Sequence, residues 1–480
     1  MRSPAPPPLT IDRSLRGKTI LLTGGTGFLG KVIVERLLRC VPDIGRIYLL
    51  IRTRREPNAA PASAMARFEA EVLPSGAFDT LKTLHGERWP PFVRSRLVPV
   101  AGDVSQPGLG LDHRDRAGLA ARVDVVINAA ASVVFDEPLD SALLHNVRSV
   151  EHVARFAREC GAAALVHVST AFVAGRRTGR FEEAPLAPDV SALEVDAIAE
   201  AVASIQEEAR AKGLSPRATR ARLVDEGMTR ARRLGWHDVY SFTKALGEMV
   251  LARERGTVPT AIVRPTIIES SLRHPTPGWL ENLNVGDPLW VEFGRGRMPD
   301  FPLAVDAVLD MVPVDFVANA VLAMIPRLGR TPEVSYYTVG SGARNPLSGR
   351  RIHDLSYEYF THNPMYDRQG EPIAPSRLTF PTYTDFLETY GGAATRSATM
   401  KRVLYLADLY ETYMNTSCIF DTTNTERLLD ELEGPDRLAL DFDVRALDWC
   451  SYLQEVHLPG LRRHVLGEDV RSGPPVRRHA

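Results

Sequence analysis

The sequence predicts an α/β fold: a doubly wound parallel sheet followed by a smaller, mainly helical C-terminal region. Three observations carry this. Short apolar runs recur six times between residues 19 and 264, separated by segments of helical periodicity, as in parallel sheets covered on both faces. The first run ends in Thr23–Gly24–Gly25–Thr26–Gly27–Phe28–Leu29–Gly30 and leads into the amphipathic segment Lys31–Cys40. Beyond Pro275 the alternation loosens into Pro- and Gly-rich stretches. Strand, glycine turn and helix in this order are the Rossmann-type arrangement, in which free helix-start amides hold a dinucleotide pyrophosphate. The spacing is TGxxGxxG rather than GxGxxG, so the flanking strand and helix carry as much of the reading as the glycines. The chain therefore divides into a disordered tail (1–16), a dinucleotide-binding domain (17–275) with a helical insertion at about 191–234, and a substrate-binding C-terminal domain (276–480).

Composition narrows the class. The 480 residues are 44% hydrophobic and 24% charged, which is ordinary for a globular protein with two or three domains' worth of core. A net charge of -1 offers no electrostatic case for nucleic acid. Cys40, Cys160, Cys418 and Cys450 show no zinc or redox spacing, so no metal is predicted and the thiols fit a reducing cytoplasm. Met1–Ser14 lacks the apolar core of a signal peptide. The longest apolar stretch, Leu303–Ile325, is interrupted by Asp306, Asp310 and Asp315, which leaves no expected membrane span.

Along the chain, Arg46–Ile51 reads as the second strand and ends at Arg52–Thr53–Arg54–Arg55. An acidic residue here would take a ribose 2′-hydroxyl; Arg52, helped by Arg54 or Arg55, suits a 2′-phosphate instead, which favours NADP over NAD. Ser63–Leu84 reads as a polar helical connection and Arg96–Ala101 as the third strand. It runs into Gly102–Asp103–Val104, where Asp103 either accepts from an adenine amino group or closes a simple turn. Val123–Ile127, the fourth strand, leads into the small residues Asn128–Ala129–Ala130–Ala131, a place for close cofactor approach. Leu143–Cys160 is helical, and Ala164–Val168 is a fifth strand ending in Ser169 and Thr170, hydroxyls at the edge where such sheets bind ligands. The insertion holds two helices, either a lid or a solvated excursion. Val239 opens a helix that places Tyr240 and Lys244 on one face. Ala261–Arg264, the sixth strand, leads into Pro265–Thr266–Ile267–Ile268. Asp315 reads as the N-cap of an apolar helix, and Thr423 with Glu426 as a capping box.

Taken together, TGGTGFLG at 23–30, GDV at 102–104, NAAA at 128–131, HVSTAFV at 167–173, YSFTK at 240–244 and VRPTII at 263–268 resemble the extended short-chain dehydrogenase/reductases. HVSTAFV, with FDTTNTERLL at 420–429 and HLPGLRRHVL at 457–466, is most similar to the alcohol-forming fatty acyl-CoA reductases. The likeness runs from Gly17 to near the end. Phe172 and Ala174 depart from the family's usual Tyr and Asn or Pro, a change confined to the pocket wall.

The resemblance implies NADP(H) as cofactor, held by Gly24, Thr26, Gly27, Phe28, Leu29, Gly30, Arg52, Asp103, Val104, Asn128, Ala129, Ala130, Tyr240, Lys244, Pro265, Ile267 and Ile268. It makes Tyr240 the general acid, Lys244 the residue that lowers its pKa and holds the ribose, and Thr170 the carbonyl's second donor, with Ser169 as rival. Reduction of a long-chain acyl-CoA through an aldehyde to the alcohol follows, with an acyl carrier protein as the other thioester source and a greasy C-terminal tunnel for the chain. A cytoplasmic enzyme is expected, with peripheral membrane contact and self-association left open. The competing readings are an aldehyde-forming thioester reductase, a dehydrogenase or epimerase of sugar nucleotides or sterols, and a non-catalytic NADP-binding scaffold. Intact Thr170, Tyr240 and Lys244 argue against the last.

Overall fold

The computed structural model describes residues 11–53, 63–186, 192–328, 333–392, 397–415 and 417–468. Its strands are β1 (Ile20–Thr23), β2 (Ile47–Ile51), β3 (Leu97–Ala101), β4 (Val125–Asn128), β5 (Ala164–Val168), β6 (Gly179–Phe181), β7 (Thr260–Pro265), β8 (Ile267–Glu269), β9 (Met311–Pro313), β10 (Val334–Val339) and β11 (Cys418–Phe420). Seven of them form one parallel sheet in the order β10-β7-β5-β4-β1-β2-β3. The order reverses between β1 and β4, which opens a crevice at their carboxyl ends.

The side-chain period of two sorts the sheet residues onto two cores. Ile20 and Leu22 share a cluster with Val32, Ile33 and Leu37 of the helix Phe28–Cys40 and with the helix Val314–Leu328. Leu21 points the other way, into a cluster with Val150, Val153 and Phe156 of the helix Ser149–Cys160. Val314–Leu328 is apolar nearly all round, and it is buried to match.

The sheet departs from the expected domain boundary. Its edge strand β10 and its covering helix Val314–Leu328 both come from beyond residue 276, so the nucleotide-binding layer draws on a segment assigned to substrate binding. Residues 1–10 lie outside the described residues, but the expected tail is corrected for its last part: Ile11–Leu15 is a helical turn with Ile11 and Leu15 buried in the main core. Asp315 is not an N-cap. It sits inside the first turn, where its carboxylate accepts from the amides of Leu272 (2.8 Å), Arg273 (2.9 Å) and His274 (3.1 Å), tying down the loop after β8. The helix Thr423–Asp430 starts at the expected residue, but Thr422 is its cap residue, and it is the Thr422 hydroxyl that donates to Glu426.

The insertion forms two helices, Ala192–Ala211 and Pro216–Arg233. Val195, Ile198 and Ala231 pack into a core with Leu139, Phe242 and Leu246, behind the helix that carries Tyr240. The C-terminal region is mainly helical and is bound to the sheet domain at several places, two of them beside β6. β11 pairs with β6, and the buried Glu183 carboxylate accepts from the Thr338 amide (2.6 Å), the Thr425 hydroxyl (3.0 Å) and the Asn424 amide.

Candidate active site

The crevice begins at the glycine turn. Gly24 has φ +75°, and a Cβ there would lie 2.6 Å from the backbone of Ala129; one on Gly30 would lie 2.1 Å from the Gly24 carbonyl. Only glycine keeps β1, the turn and the helix this close. The helix Phe28–Cys40 starts at Gly27 with no side-chain cap, so its first amides face the crevice unspent. A pyrophosphate fits this cradle by charge and by donors.

Two connected pockets run from it. On one side a cavity of about 440 Å³ is lined by Thr26, Arg52, Asp103, Val104 and Ala130, with Arg67 beside Arg52. On the other a cavity of about 560 Å³ holds Phe28, Leu29, Gly30, Pro265, Ile267 and Ile268. That second cavity also contains Thr170, Tyr240 and Lys244, and both include Gly24, Gly27 and Ala129. The crevice therefore gathers all but one of the residues expected there.

Asn128 is the exception. Its side chain is spent below the crevice: Oδ1 accepts from the Thr23 hydroxyl (2.6 Å), and Nδ2 meets Nδ1 of His167 at 3.0 Å. It braces three strand ends from below the crevice. Burial, and then the charge of Lys244, hold His167 well below the usual imidazole pKa, so the ring is neutral and accepts from Asn128. Asp103 does close a turn, accepting from the amide and hydroxyl of Ser105 at 2.9 and 2.7 Å, and it lines the pocket as well. Arg54 and Arg55 lie outside the described residues. Arg67, which sequence reasoning missed, donates to the Arg52 carbonyl (2.5 Å) and clasps Glu71 through two nitrogens.

The reacting end rests on the helix Val239–Glu254, capped by Asp238, whose carboxylate accepts from the amide and hydroxyl of Ser241 at 2.7 and 2.8 Å. The Lys244 ammonium donates to the Val168 carbonyl at 2.7 Å. Burial lowers its pKa to about 8, with nearby Glu248 opposing. Glu248 in turn forms a buried pair with Arg264 (2.7 Å), which pins the helix to β7. Burial pushes Tyr240 up to about 12, and its hydrogen bond with Thr170 pulls the other way. Thr170 and Tyr240 thus share a hydrogen bond, while the Ser169 hydroxyl, also at the site, has no partner. Asn146 braces the other side from a π-helical turn, Leu144–Arg148, with its amide nitrogen on the Thr243 hydroxyl and the Ser132 carbonyl.

The roof comes from a helix of the C-terminal region, Ala398–Met414, through Tyr405, Leu409, Tyr410 and Tyr413. None of the described insertion residues lines either cavity. Phe172 packs edge-on against Tyr413 (4.6 Å) and Phe420 (5.4 Å), which makes it the pocket wall. Past Tyr410 and Tyr413 lies an almost wholly apolar cavity of about 110 Å³, walled by Leu289, Phe293, Met298, Phe301, Leu303 and Leu378. Nothing in the order of the sequence placed these tyrosines at the site; they reach it only through the fold. No helix among the described residues is long and apolar enough to cross a membrane.

Comparison with known proteins places this geometry. The family described as Male sterility protein matches residues 22–321 with its NAD-binding part, and its second part matches 385–468. Fatty acyl-CoA reductase 2, chloroplastic, of Arabidopsis thaliana is 36% identical over 95% of this chain and 80% of its own. The alcohol-forming fatty acyl-CoA reductase of Simmondsia chinensis is 33% identical over 94% and 98%. Among solved structures, the terminal R domain of the myxalamid PKS-NRPS biosynthetic pathway superposes with a TM-score of 0.64 at 21% identity, covering 93% of this chain and 90% of that one. The reductase (R) domain of a non-ribosomal peptide synthetase from Mycobacterium tuberculosis gives 0.59 at 21%, over 95% and 96%. At that identity the two structures speak for the fold.

Proposed function

The chain belongs to the fatty acyl-CoA reductase family, and from that premise we propose that it is an NADPH-dependent, alcohol-forming member acting on long-chain acyl-CoA. One observation supports this most: Thr170, Tyr240 and Lys244 converge where the nucleotide crevice meets an apolar cavity. Arg52 supports NADPH, since a guanidinium matches a 2′-phosphate in geometry and charge, and Arg67, engaged with Glu71, holds the Arg52 backbone through its carbonyl. The nicotinamide supplies hydride to the carbonyl carbon.

The chain's own residues handle the oxygen. Thr170 and Tyr240 direct two hydroxyl donors at the atom that becomes negative, where preorganised donors contribute most. A buried phenol holds its proton at neutral pH, so Tyr240 starts as an acid. Lys244, charged below about pH 8, stabilises the phenolate once that proton has left. In the first round the thioester becomes a hemithioacetal, which collapses to aldehyde and free coenzyme A thiol. In the second the aldehyde takes up two electrons and two protons' worth of hydrogen in the same pocket and leaves as the primary alcohol. The apolar cavity holds the chain between rounds.

The test is the NADPH consumed per mole of palmitoyl-CoA, with products identified by gas chromatography and NADH run in parallel. Two NADPH per thioester with hexadecanol as product is the expected result. One NADPH with accumulating hexadecanal makes the protein an aldehyde-forming reductase, and equal use of NADH removes the role given to Arg52.

A further inference from the structure

Apart from the reacting residues, one buried cluster has no use in the reaction. Glu269 at the end of β8, Asp287 at the start of the helix Asp287–Gly294, and His457 near the C-terminus bring ligand atoms to within 4.8 Å of one another. His457 Nε2 lies 3.4 Å from Asp287 Oδ1 and 3.9 Å from Glu269 Oε2, and all three side chains are 0 to 1% exposed. Both Glu269 oxygens, Asp287 Oδ1 and His457 Nε2 lack a hydrogen-bond partner. Among the described residues no arginine or lysine pairs with either carboxylate. Three unpartnered polar atoms, one from each residue, gathered in a dry interior cost several kcal/mol unless something joins them.

We propose that Glu269, Asp287 and His457 bind a divalent cation, Zn²⁺ by their donor set, that ties together the end of β8, the start of the helix Asp287–Gly294 and the C-terminal segment bearing His457. Tetrahedral Zn²⁺ with nitrogen and oxygen ligands at about 2.0–2.2 Å needs ligand atoms roughly 3.4 Å apart, a spacing the triad meets at one edge and exceeds by half an ångström at another. Two carboxylates and a neutral imidazole also balance a charge of two, so the loaded site is neutral. The surroundings hold each ligand in aim. Asp287 Oδ2 accepts from the Asn284 amide (2.6 Å), which leaves Oδ1 turned inward. His457 lies between Trp290 (4.5 Å between ring centres) and Tyr452 (5.9 Å), and its Nδ1 sits 3.0 Å from the Ser270 hydroxyl. A hydrogen on Nδ1 donated to that oxygen leaves the Nε2 lone pair for the ion, the usual outer arrangement of a metal-bound histidine. Glu269 and Trp290 line the apolar cavity, so the ion would stiffen its wall without touching the reacting oxygen. The three residues are far apart in sequence, which is why no spacing announced them.

The experiment uses the full chain without a polyhistidine tag. Metal content is measured by mass spectrometry as purified and after chelator treatment, followed by titration with Zn²⁺ or Co²⁺. The expected result is about one ion per chain, a thermal midpoint that rises when Zn²⁺ is restored, and Co²⁺ absorption of a tetrahedral N/O site without thiolate charge-transfer bands. Glu269→Gln, Asp287→Asn and His457→Gln should each weaken Zn²⁺ binding by about tenfold or more, with NADPH fluorescence confirming that each variant is folded. Metal-free wild type that neither takes up Zn²⁺ nor gains stability from it overturns the proposal. So does a thiolate Co²⁺ spectrum, or a folded variant that keeps wild-type affinity. If no variant folds, the wild-type midpoint shift and Co²⁺ spectrum decide alone.

Discussion

Tyr413, on the helix Ala398–Met414, donates its phenol hydrogen to the buried carboxylate of Asp238, the residue that caps the helix bearing Tyr240 and Lys244. One hydrogen bond therefore joins the roof of the site to the base of its reacting helix. A bond to a buried carboxylate contributes about 1.5–3 kcal/mol. Tyr413→Phe should lower the free energy of unfolding by that amount in urea titrations, with NADPH affinity unchanged. A double-mutant cycle with Asp238→Asn should show the two losses to be coupled rather than additive.

Tyr240→Phe keeps the ring and removes the acid. Turnover of both acyl-CoA and free aldehyde should fall about 10²- to 10⁴-fold, while NADPH titrated by fluorescence binds as before. Loss of only the thioester step would mean that the two reductions use different acids.

Much of this site was legible because strands and their carboxyl ends leave local marks. The glycine turn, six sheet strands and the Tyr240/Lys244 pair were read from neighbours in the chain. β10 was not, although Val334–Ser335–Tyr336–Tyr337–Thr338–Val339 is rich in β-branched and aromatic residues; it follows a long excursion that hides its membership of the sheet. Asp315 was misread for a related reason. It has a plausible local task as an N-cap, yet the distant amides of 272–274 claim its side chain, as Thr23 and His167 claim that of Asn128. Arg67 and Tyr413 carry no local signal at all, since the fold alone brings them to the crevice.

Arg52→Ala removes a guanidinium from the adenosine end of the crevice. The preference for NADPH over NADH, as a ratio of kcat/KM values, should drop about 10- to 100-fold, corresponding to roughly 1.4–2.8 kcal/mol of lost phosphate pairing. The rate with NADH should hardly move.

The pH profile should reveal Lys244. Its pKa is lowered to about 8, so the ammonium needed by Tyr240 is present below that pH and lost above it. The kcat/KM for aldehyde reduction should therefore fall as pH rises through about 8. Stability responds with the opposite sign: between the folded value and the ordinary lysine value of 10.5 the unfolded chain binds more protons, so this group's contribution to stability grows with pH. A decline in rate that merely tracked unfolding would lack this opposition.

Chain-length selectivity should reside in the apolar cavity behind Tyr410. Leu289 lines it on the helix that begins at Asp287. A tryptophan there fills space that the distal methylenes of a long acyl chain would occupy. Each buried methylene contributes about 0.8 kcal/mol, so excluding four of them costs about 3 kcal/mol, or roughly 10²-fold in kcat/KM. Leu289→Trp should lose that factor with palmitoyl-CoA and keep near wild-type activity with octanoyl-CoA, as measured by NADPH oxidation across acyl lengths. An equal loss at every length would mean that the substitution disturbs the reacting end, and that the chain lies elsewhere. The length series separates these outcomes because a fault at the carbonyl is felt by every substrate, whereas a blocked cavity is felt only by chains long enough to enter it.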